Sequence, residues 1–240
     1  MMKLENKVAI VTGSGRGIGK ETAVLLAKEG CSVVITARTH EEINETAKEI
    51  IKNGGVAFAV KADMCNSKDV RSLVKKTISK LGTIDILVNN AGILIKKPLI
   101  ETSEKEWDSL IDTNLKGAFL CTKEVLPFMT KQKSGTIVNI SSGAGRRGVA
   151  GLAAYCASKF GVIGLTESVA KEAVKDNVRV YAICPGLVAT QMQVDLIGAA
   201  AYKISKMLMI QPSKIAGKVL ELCLPDCKIP TGSSVEIYNI

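Results

Sequence analysis

The chain has 240 residues, of which 47% are hydrophobic and only 4% aromatic, and its formal net charge is +9. No apolar run approaches the roughly 18 residues that a membrane-spanning helix needs, and the single histidine, His40, excludes a Ser-His-Asp triad and a histidine-based metal site. Seven cysteines without a CxxC pair favour free thiols in a reducing compartment. Because a strand-like run begins almost at the first residue, no secretory signal is expected. We therefore expect a soluble cytoplasmic protein that holds no metal and does not enter a membrane.

The basic charge does not by itself predict nucleic-acid binding. Lysines and arginines are scattered along the chain, without the aromatic-interleaved cluster that nucleic-acid binding favours. Two alternatives stay open: a surface that attracts phosphorylated cofactors or acidic carriers, and a merely solvated surface.

Strand-like runs alternate with amphipathic helical patterns, which predicts βαβ units in a parallel sheet. The predicted strands are Val8–Val11, Val33–Thr36, Ala57–Lys61, Ile84–Val88, Thr136–Ile140, Val178–Ile183 and Ser234–Tyr238. The predicted helices cover 17–29, 41–52, 67–80, 104–131, 154–176 and 213–223. We find no linker or repeat and predict one domain, 1–240. The Met-rich segment 190–210 stands outside the alternation, as a methionine-lined lid over an apolar pocket or as ordinary core.

A glycine-rich turn follows the first strand and opens the first helix. Glycines let the backbone approach a pyrophosphate, whose charge is met by the helix N-terminus. A strict GxGxxG does not fit this segment, whereas TGxxxGxG does, with glycines at 13, 17 and 19. That variant resembles the short-chain dehydrogenase/reductase family. The resemblance implies cofactor contacts from Gly13, Ser14, Gly15, Arg16, Gly17, Ile18 and Gly19.

The end of the second strand bears on the choice between NADP(H) and NAD(H). An acidic residue here usually holds the ribose 2′-hydroxyl of NAD, whereas an arginine accommodates a 2′-phosphate. The family's acidic position is Ala37 in this chain, and Arg38 follows it. Arg16 is a second guanidinium that would reach the same phosphate. We therefore favour NADP(H) over NAD(H); two exposed arginines without a phosphate partner are the alternative.

Three further segments resemble family motifs that contact the cofactor. The pair Asp63-Met64 follows the third strand and resembles the family's adenine-contacting pair. The segment Asn89–Gly92 follows the fourth strand and resembles its NNAG motif, which braces the sheet and lines the adenosine side. The segment Pro185–Thr190 resembles the family's PGxxxT loop near the nicotinamide and diphosphate. The implied contacts are Asp63, Met64, Asn90, Ala91, Gly92, Pro185, Gly186, Val188 and Thr190.

Tyr155 and Lys159 begin a long predicted helix, and residues four apart share one helix face. A nearby ammonium favours the phenolate and lowers the pKa of a tyrosine. The pair is thus a candidate general acid/base for a hydroxyl or carbonyl substrate. A surface tyrosine beside a solvated lysine is the alternative reading of an isolated YxxxK. In the family, both residues also bind the cofactor.

Two more residues complete a candidate catalytic set. The fifth strand delivers Ser141 and Ser142 to the sheet edge, where a hydroxyl can bind a substrate carbonyl and stabilise the developing alkoxide. Ser142 precedes Tyr155 by thirteen residues, the spacing common in the family, so we choose it and assign Ser141 to the strand end. Asn114 resembles the family's helix asparagine, which would hold a water linking Lys159 to solvent.

The family motifs occur in order over almost the whole chain. The resemblance implies a Rossmann-type, doubly wound, seven-stranded parallel sheet in three α/β/α layers, and a homotetramer. It implies reduction of a ketone by hydride transfer, and the 3-oxoacyl-[acyl-carrier-protein] reductase branch is most similar. Lys131 and Lys133 would then meet an acidic carrier protein. Two departures from that branch are Asp176, at a position that is often basic, and the missing terminal Gly-Gly.

Two other interpretations stay open. The substrate can be another small ketone, a sugar or a steroid-type alcohol. The fold can also serve as a catalytically silent NADP-binding sensor or scaffold, although such proteins commonly lose a catalytic residue.

Overall fold

The computed structural model describes residues 2–239. Seven strands form one sheet in the order β3-β2-β1-β4-β5-β6-β7, and every neighbouring pair is parallel. The strands are β1 (Val8–Thr12), β2 (Ser32–Ala37), β3 (Val56–Lys61), β4 (Ile86–Asn89), β5 (Gly135–Ile140), β6 (Val178–Pro185) and β7 (Ser234–Ile237). The Rossmann-type sheet expected from the sequence is confirmed.

Nine α-helices are described. They are α1 (Gly17–Lys28), α2 (His40–Lys52), α3 (Ser67–Leu81), α4 (Glu104–Ile111), α5 (Gly117–Gln132), α6 (Ala153–Ala173), α7 (Gln191–Ile197), α8 (Ala199–Ser205) and α9 (Pro212–Cys223).

The strands are buried on both faces because helices cover both sides of the sheet. Alternate residues of one strand enter opposite cores, as Val11 and Ile10 of β1 show. Helices α1, α2 and α9 cover one face, and α3, α5 and α6 cover the other. Burial on both faces explains why the strands read as continuous apolar runs with few aromatic residues.

The segment 104–131 is helical throughout, as predicted, but one turn within it is wider than an α-helical turn. A π-helical turn, Asp112–Lys116, separates α4 from α5. The wider turn inserts one residue and changes the phase of the helix, which leaves Asn114 only 2% exposed. The strand predicted at Ile84–Val88 also begins later, at Ile86. Before it, the Asp85 carboxylate accepts from the main-chain N–H of Val8 at 3.0 Å.

The strand order reverses between β1 and β4, so a crevice opens at the carboxyl edge of these two strands. The segment 190–210 covers part of this edge as α7, α8 and a 3₁₀ turn, Lys206–Leu208. A parallel bridge between Val188 and Ile210 joins the two ends of the segment at its base. We call residues 190–210 the lid.

Candidate active site

The glycine turn after β1 has a backbone that requires glycine at two positions. Gly13 has φ of 63°, and a Cβ there would lie 2.9 Å from the Cα of Ala91. A Cβ on Gly19 would lie 2.3 Å from the carbonyl oxygen of Gly13. Arg16 occupies the N-cap of α1 without a side-chain cap, and the first turn contains no acidic residue. The helix therefore presents unpaired N–H groups and a positive dipole end to the crevice.

Two residues of this predicted cofactor segment lie behind the turn rather than in the crevice. The Ser14 hydroxyl donates to the Val11 carbonyl at 2.6 Å and accepts from the Thr36 N–H at 2.9 Å. Gly19 is buried against the Gly13 carbonyl. Neither residue lines the cleft. Ser14 and Gly19 therefore stabilise the conformation of the turn.

Both arginines that the sequence pairs with a 2′-phosphate line the cleft, and both are exposed. Arg16 Nη1 lies 3.7 Å from Glu42 Oε1. An exposed pair at that distance contributes little, so Arg16 stays available to another anion. Arg38 forms no ion pair with any of residues 2–239. The pairing of Arg16 with Glu42 could not be read from the sequence.

Amide side chains fix the ends of β1 and β4. The Asn90 amide donates to the carbonyls of Thr12, at 2.9 Å, and Gly13, at 3.1 Å. Beside it, a buried chain of hydrogen bonds runs from Asn89 to Asn139 and on to Thr166 of α6, each 2.8 Å long. The bracing role of this motif is what the resemblance implied. Asn139 and Thr166 were missed, although a polar residue within an apolar strand was a signal.

The two serines after β5 have different environments. The Ser141 hydroxyl is buried and donates to the Lys159 carbonyl at 2.9 Å. Both serines line the cleft, but Ser142 is only half-buried, and its hydroxyl accepts from the Ala144 N–H at 3.1 Å. This division matches the choice made from spacing, with Ser142 open to a ligand and Ser141 in the framework.

Tyr155 and Lys159 lie one turn apart on α6 and both line the cleft. Lys159 Nζ lies 5.8 Å from the centre of the Tyr155 ring and donates to the Ile140 carbonyl at 2.9 Å. A Cβ on Gly92 would approach this Nζ to 3.5 Å. The lysine is thus held beside the tyrosine by the end of β5, in space that a glycine leaves open.

Burial shifts the pKa values of both Tyr155 and Lys159. Burial raises the pKa of Tyr155 to about 12, with the Ser142 hydroxyl acting in the opposite direction. Burial also lowers the pKa of Lys159 to about 8. Burial is the largest cause of the shift in the pKa of Tyr155, and its direction is opposite to the lowering expected from Lys159. Tyr155 is a protonated phenol at neutral pH.

Asn114 does not line the cleft. Its Oδ1 accepts from the Ile93 N–H at 2.8 Å, while its Nδ2 donates to the Ile93 carbonyl and the Ser158 hydroxyl, both at 3.0 Å. Both amide hydrogens are used, so the side chain joins the segment after β4 to α6. A water held by Asn114 would bind its main-chain carbonyl or the second lone pair of its Oδ1.

The loop after β6 connects the two ends of the cleft. Pro185, Gly186, Val188 and Thr190 all line it. The Thr190 methyl group would lie 3.3 Å from a Cβ on Gly17, so this loop reaches the glycine turn.

The methionines of the segment 190–210 divide between the two alternatives that the sequence left open. Met192 lines the cleft, but Met209 is buried in the core and Met207 is 89% exposed. Composition alone does not show which way each methionine faces in two short helices.

One cleft of about 450 Å³ brings most of the candidate residues together. Of the sequence-predicted set, only Ser14, Gly19 and Asn114 do not line it. The cleft is also lined by residues that the sequence did not single out, among them Arg147, Gln193 and Tyr238. The predicted residues that line the cleft are Gly13, Gly15, Arg16, Gly17, Ile18, Arg38, Asp63, Met64, Asn90, Ala91, Gly92, Ser142, Tyr155, Lys159, Pro185, Gly186, Val188 and Thr190.

Across residues 2–239, no three His, Cys, Asp or Glu side chains cluster in a way that would hold a metal ion. Over the same residues, no helix is both long and apolar enough to cross a membrane.

Comparison with known proteins agrees with this geometry. Residues 7–200 match the family model described as short chain dehydrogenase. The chain belongs to the short-chain dehydrogenase/reductase family. This family of oxidoreductases was the one expected from the motifs, and that expectation is confirmed.

Relatives of this short-chain dehydrogenase/reductase share most of its length. A 3-oxoacyl-[acyl-carrier-protein] reductase of Synechocystis is 44% identical over 221 residues, covering 91% of this chain and 90% of the relative. The 3-oxoacyl-[acyl-carrier-protein] reductase FabG of Staphylococcus aureus is 38% identical over 240 residues, covering 96% of each chain.

Solved structures of the family have the same fold. Levodione reductase superposes with a TM-score of 0.92 at 30% identity, covering 98% of this chain and 97% of the other. A short-chain alcohol dehydrogenase from Sinorhizobium meliloti superposes with a TM-score of 0.90 at 36% identity, covering 98% and 96%.

Proposed function

We propose that this protein is an NADPH-dependent oxidoreductase that reduces a ketone to a secondary alcohol. One observation carries the proposal: Ser142, Tyr155 and Lys159 line one end of a cleft whose other end is the glycine turn. A hydride donor bound along the cleft would lie between the phosphate-binding end and these three side chains.

The residues present fit a dinucleotide. The close approach of Gly19 to Gly13 leaves a cradle without side chains, and the uncapped N-terminus of α1 faces it. Arg38, free of ion pairs within residues 2–239, and Arg16 line the same cleft and would together hold a 2′-phosphate. When bound, the nicotinamide supplies the hydride, and the protein supplies orientation and electrostatics.

The catalytic side chains have separate tasks. The Ser142 hydroxyl would donate to the substrate carbonyl oxygen and stabilise the alkoxide as it forms. Tyr155, kept protonated by burial, would transfer the proton of its hydroxyl to that oxygen. Lys159 would hold the nicotinamide ribose and keep positive charge near the tyrosine oxygen as it loses its proton.

We propose a 3-oxoacyl thioester as the substrate, carried on acyl-carrier protein, because both curated relatives described above bear that activity in their names. A second candidate is a ketone without a carrier. It is favoured by the ion pair of Lys133 with Asp176, which neutralises one of the lysines expected to meet an acidic carrier.

The experiment is to follow NADPH oxidation with acetoacetyl thioesters and with a panel of simple ketones. Activity on thioesters alone supports the acyl reductase, and activity on ketones alone supports the second candidate. NADPH binding without oxidation by any carbonyl would contradict an enzymatic role and favour a cofactor sensor.

Cofactor choice is tested with Arg38→Asp. We expect kcat/KM for NADPH to fall about 10–100-fold, the loss expected for charge-assisted hydrogen bonds, while the value for NADH is retained. Arg71→Asp, an exposed arginine on α3 away from the cleft, is the matched control. Equal Michaelis constants for the two cofactors, unchanged in Arg38→Asp, would contradict the assignment.

A further inference from the structure

The C-terminal segment places an aromatic side chain at the chemical end of the cleft. Tyr238 follows β7 and lines the cleft. A Cβ on Gly143, the residue after Ser142, would lie 3.2 Å from the Tyr238 hydroxyl oxygen. A Cβ on Gly186 would lie 2.9 Å from its Cδ1. The Tyr238 ring therefore rests on two glycines and occupies space that larger residues at either position would fill.

Several contacts hold the ring in this position. Gly186 N–H donates to the Ile237 carbonyl at 2.9 Å, which fixes the main chain beside it. The Tyr238 hydroxyl donates to Glu236 Oε2 at 2.5 Å. The Arg147 guanidinium lies 5.7 Å from the ring centre, within the range of a cation–π contact. Tyr238 is thus oriented by groups on both sides of its ring.

Tyr238 also stands between two cavities. A second depression, of about 360 Å³, lies beside the cleft. Tyr238 and Arg147 are the two side chains that line both cavities. The depression is otherwise lined by Gly145, Arg146, Phe160, Ile163 and Glu236.

We propose that Tyr238 determines substrate specificity by closing the cleft beside Ser142 and excluding bulky groups on the ketone. The inference rests on the proposed function, because the wall matters only if a carbonyl binds at Ser142. With Tyr238 in place, only compact groups fit on the side of the carbonyl that faces its ring. Without its ring, the cleft opens into the second depression and accepts larger ones.

The test compares Tyr238→Ala with the unaltered enzyme on two ketones, one compact and one carrying a bulky apolar group on one side. We expect the ratio of kcat/KM for the bulky to the compact ketone to rise at least about tenfold, as pocket size commonly discriminates. Tyr238→Phe keeps the ring and should leave the ratio unchanged. An unchanged ratio in Tyr238→Ala would overturn the proposal.

A matched control distinguishes the effect of removing the Tyr238 ring from the effect of loosening the C-terminal segment. The Asn239 amide donates to the Leu208 carbonyl of the lid at 3.0 Å, so Asn239→Ala loosens the tail without opening the wall. A ratio that rises equally in Asn239→Ala would overturn the proposal, because lid mobility would then be the cause.

A binding measurement keeps the inference distinct from the proposed function. The affinities of the same two ketones are measured by calorimetry for the enzyme saturated with NADP⁺, which carries no hydride to transfer to a ketone. A bulky-to-compact affinity ratio that rises in Tyr238→Ala supports the wall even if no ketone is reduced, in which case the proposed function alone fails. An unchanged affinity ratio overturns the wall.

Discussion

Replacing Lys159 by methionine should change how stability depends on pH. Burial lowers the pKa of the Lys159 ammonium from an ordinary value of 10.5 to about 8. A difference of that size corresponds to about 3 kcal/mol of unfavourable free energy for the charged form in the folded state. Methionine has a similar length and no charge, so Lys159→Met removes this term at every pH.

The sign follows from proton binding. Between about pH 8 and about pH 10.5 the unfolded chain binds a proton at Lys159 that the folded protein has lost, so the stability contributed by this group rises with pH. Below about pH 8 the full cost is present. Tyr155 does not interfere, because burial raises its pKa to about 12. Relative to that of Lys159→Met, the free energy of unfolding of the unaltered protein should therefore rise by about 2–3 kcal/mol between about pH 7 and about pH 10.

The assay is urea unfolding of both proteins at a series of pH values. Taking the difference between the two proteins cancels the other titrating groups. The loss of the hydrogen bond to Ile140 adds an offset to this difference, so the slope of the difference with pH is the quantity that tests the prediction. Lys171→Met is the control, since Lys171 is an exposed lysine on the same helix. A difference that stays flat with pH for Lys159→Met would refute the reasoning, because the buried ammonium would then carry no cost.

Three further predictions concern the cleft. Tyr155→Phe should lower turnover at least ~100-fold, as loss of general acid catalysis does. Ser142→Ala should also lower turnover at least about tenfold, whereas Ser141→Ala should lose about 1–3 kcal/mol of unfolding free energy, because the Lys159 carbonyl loses its buried donor. Gly19→Ala should raise the NADPH dissociation constant at least about tenfold, since its Cβ would lie 2.3 Å from the Gly13 carbonyl.

Each has an outcome that contradicts it. Near-normal turnover of Tyr155→Phe removes Tyr155 from its role as the acid. If Ser141→Ala loses more turnover than Ser142→Ala, the two serines have been assigned the wrong way round. Unchanged NADPH affinity in Gly19→Ala would show that the glycine turn does not hold the pyrophosphate.

Local pattern predicted the parallel sheet, and the resemblance to family motifs supplied most residues of the cleft. A parallel sheet buried on both faces needs continuous apolar strands, and each such strand ends where a functional loop begins, so Arg38, Asn90 and Ser142 could be placed at one edge from the sequence. The spacing of Tyr155 and Lys159 put them on one helix face because the helical period is fixed.

Tertiary structure decided what depends on burial and on contacts between distant segments. The raised pKa of Tyr155 comes from desolvation by the whole fold, which the spacing to Lys159 does not contain. The π-helical turn at Asn114 forms where its side chain meets Ile93 and Ser158, segments far from it in the chain. Tyr238 reaches the cleft only because β7 completes the sheet beside β6, so the sequence marked the tail as unusual but not as a wall of the site.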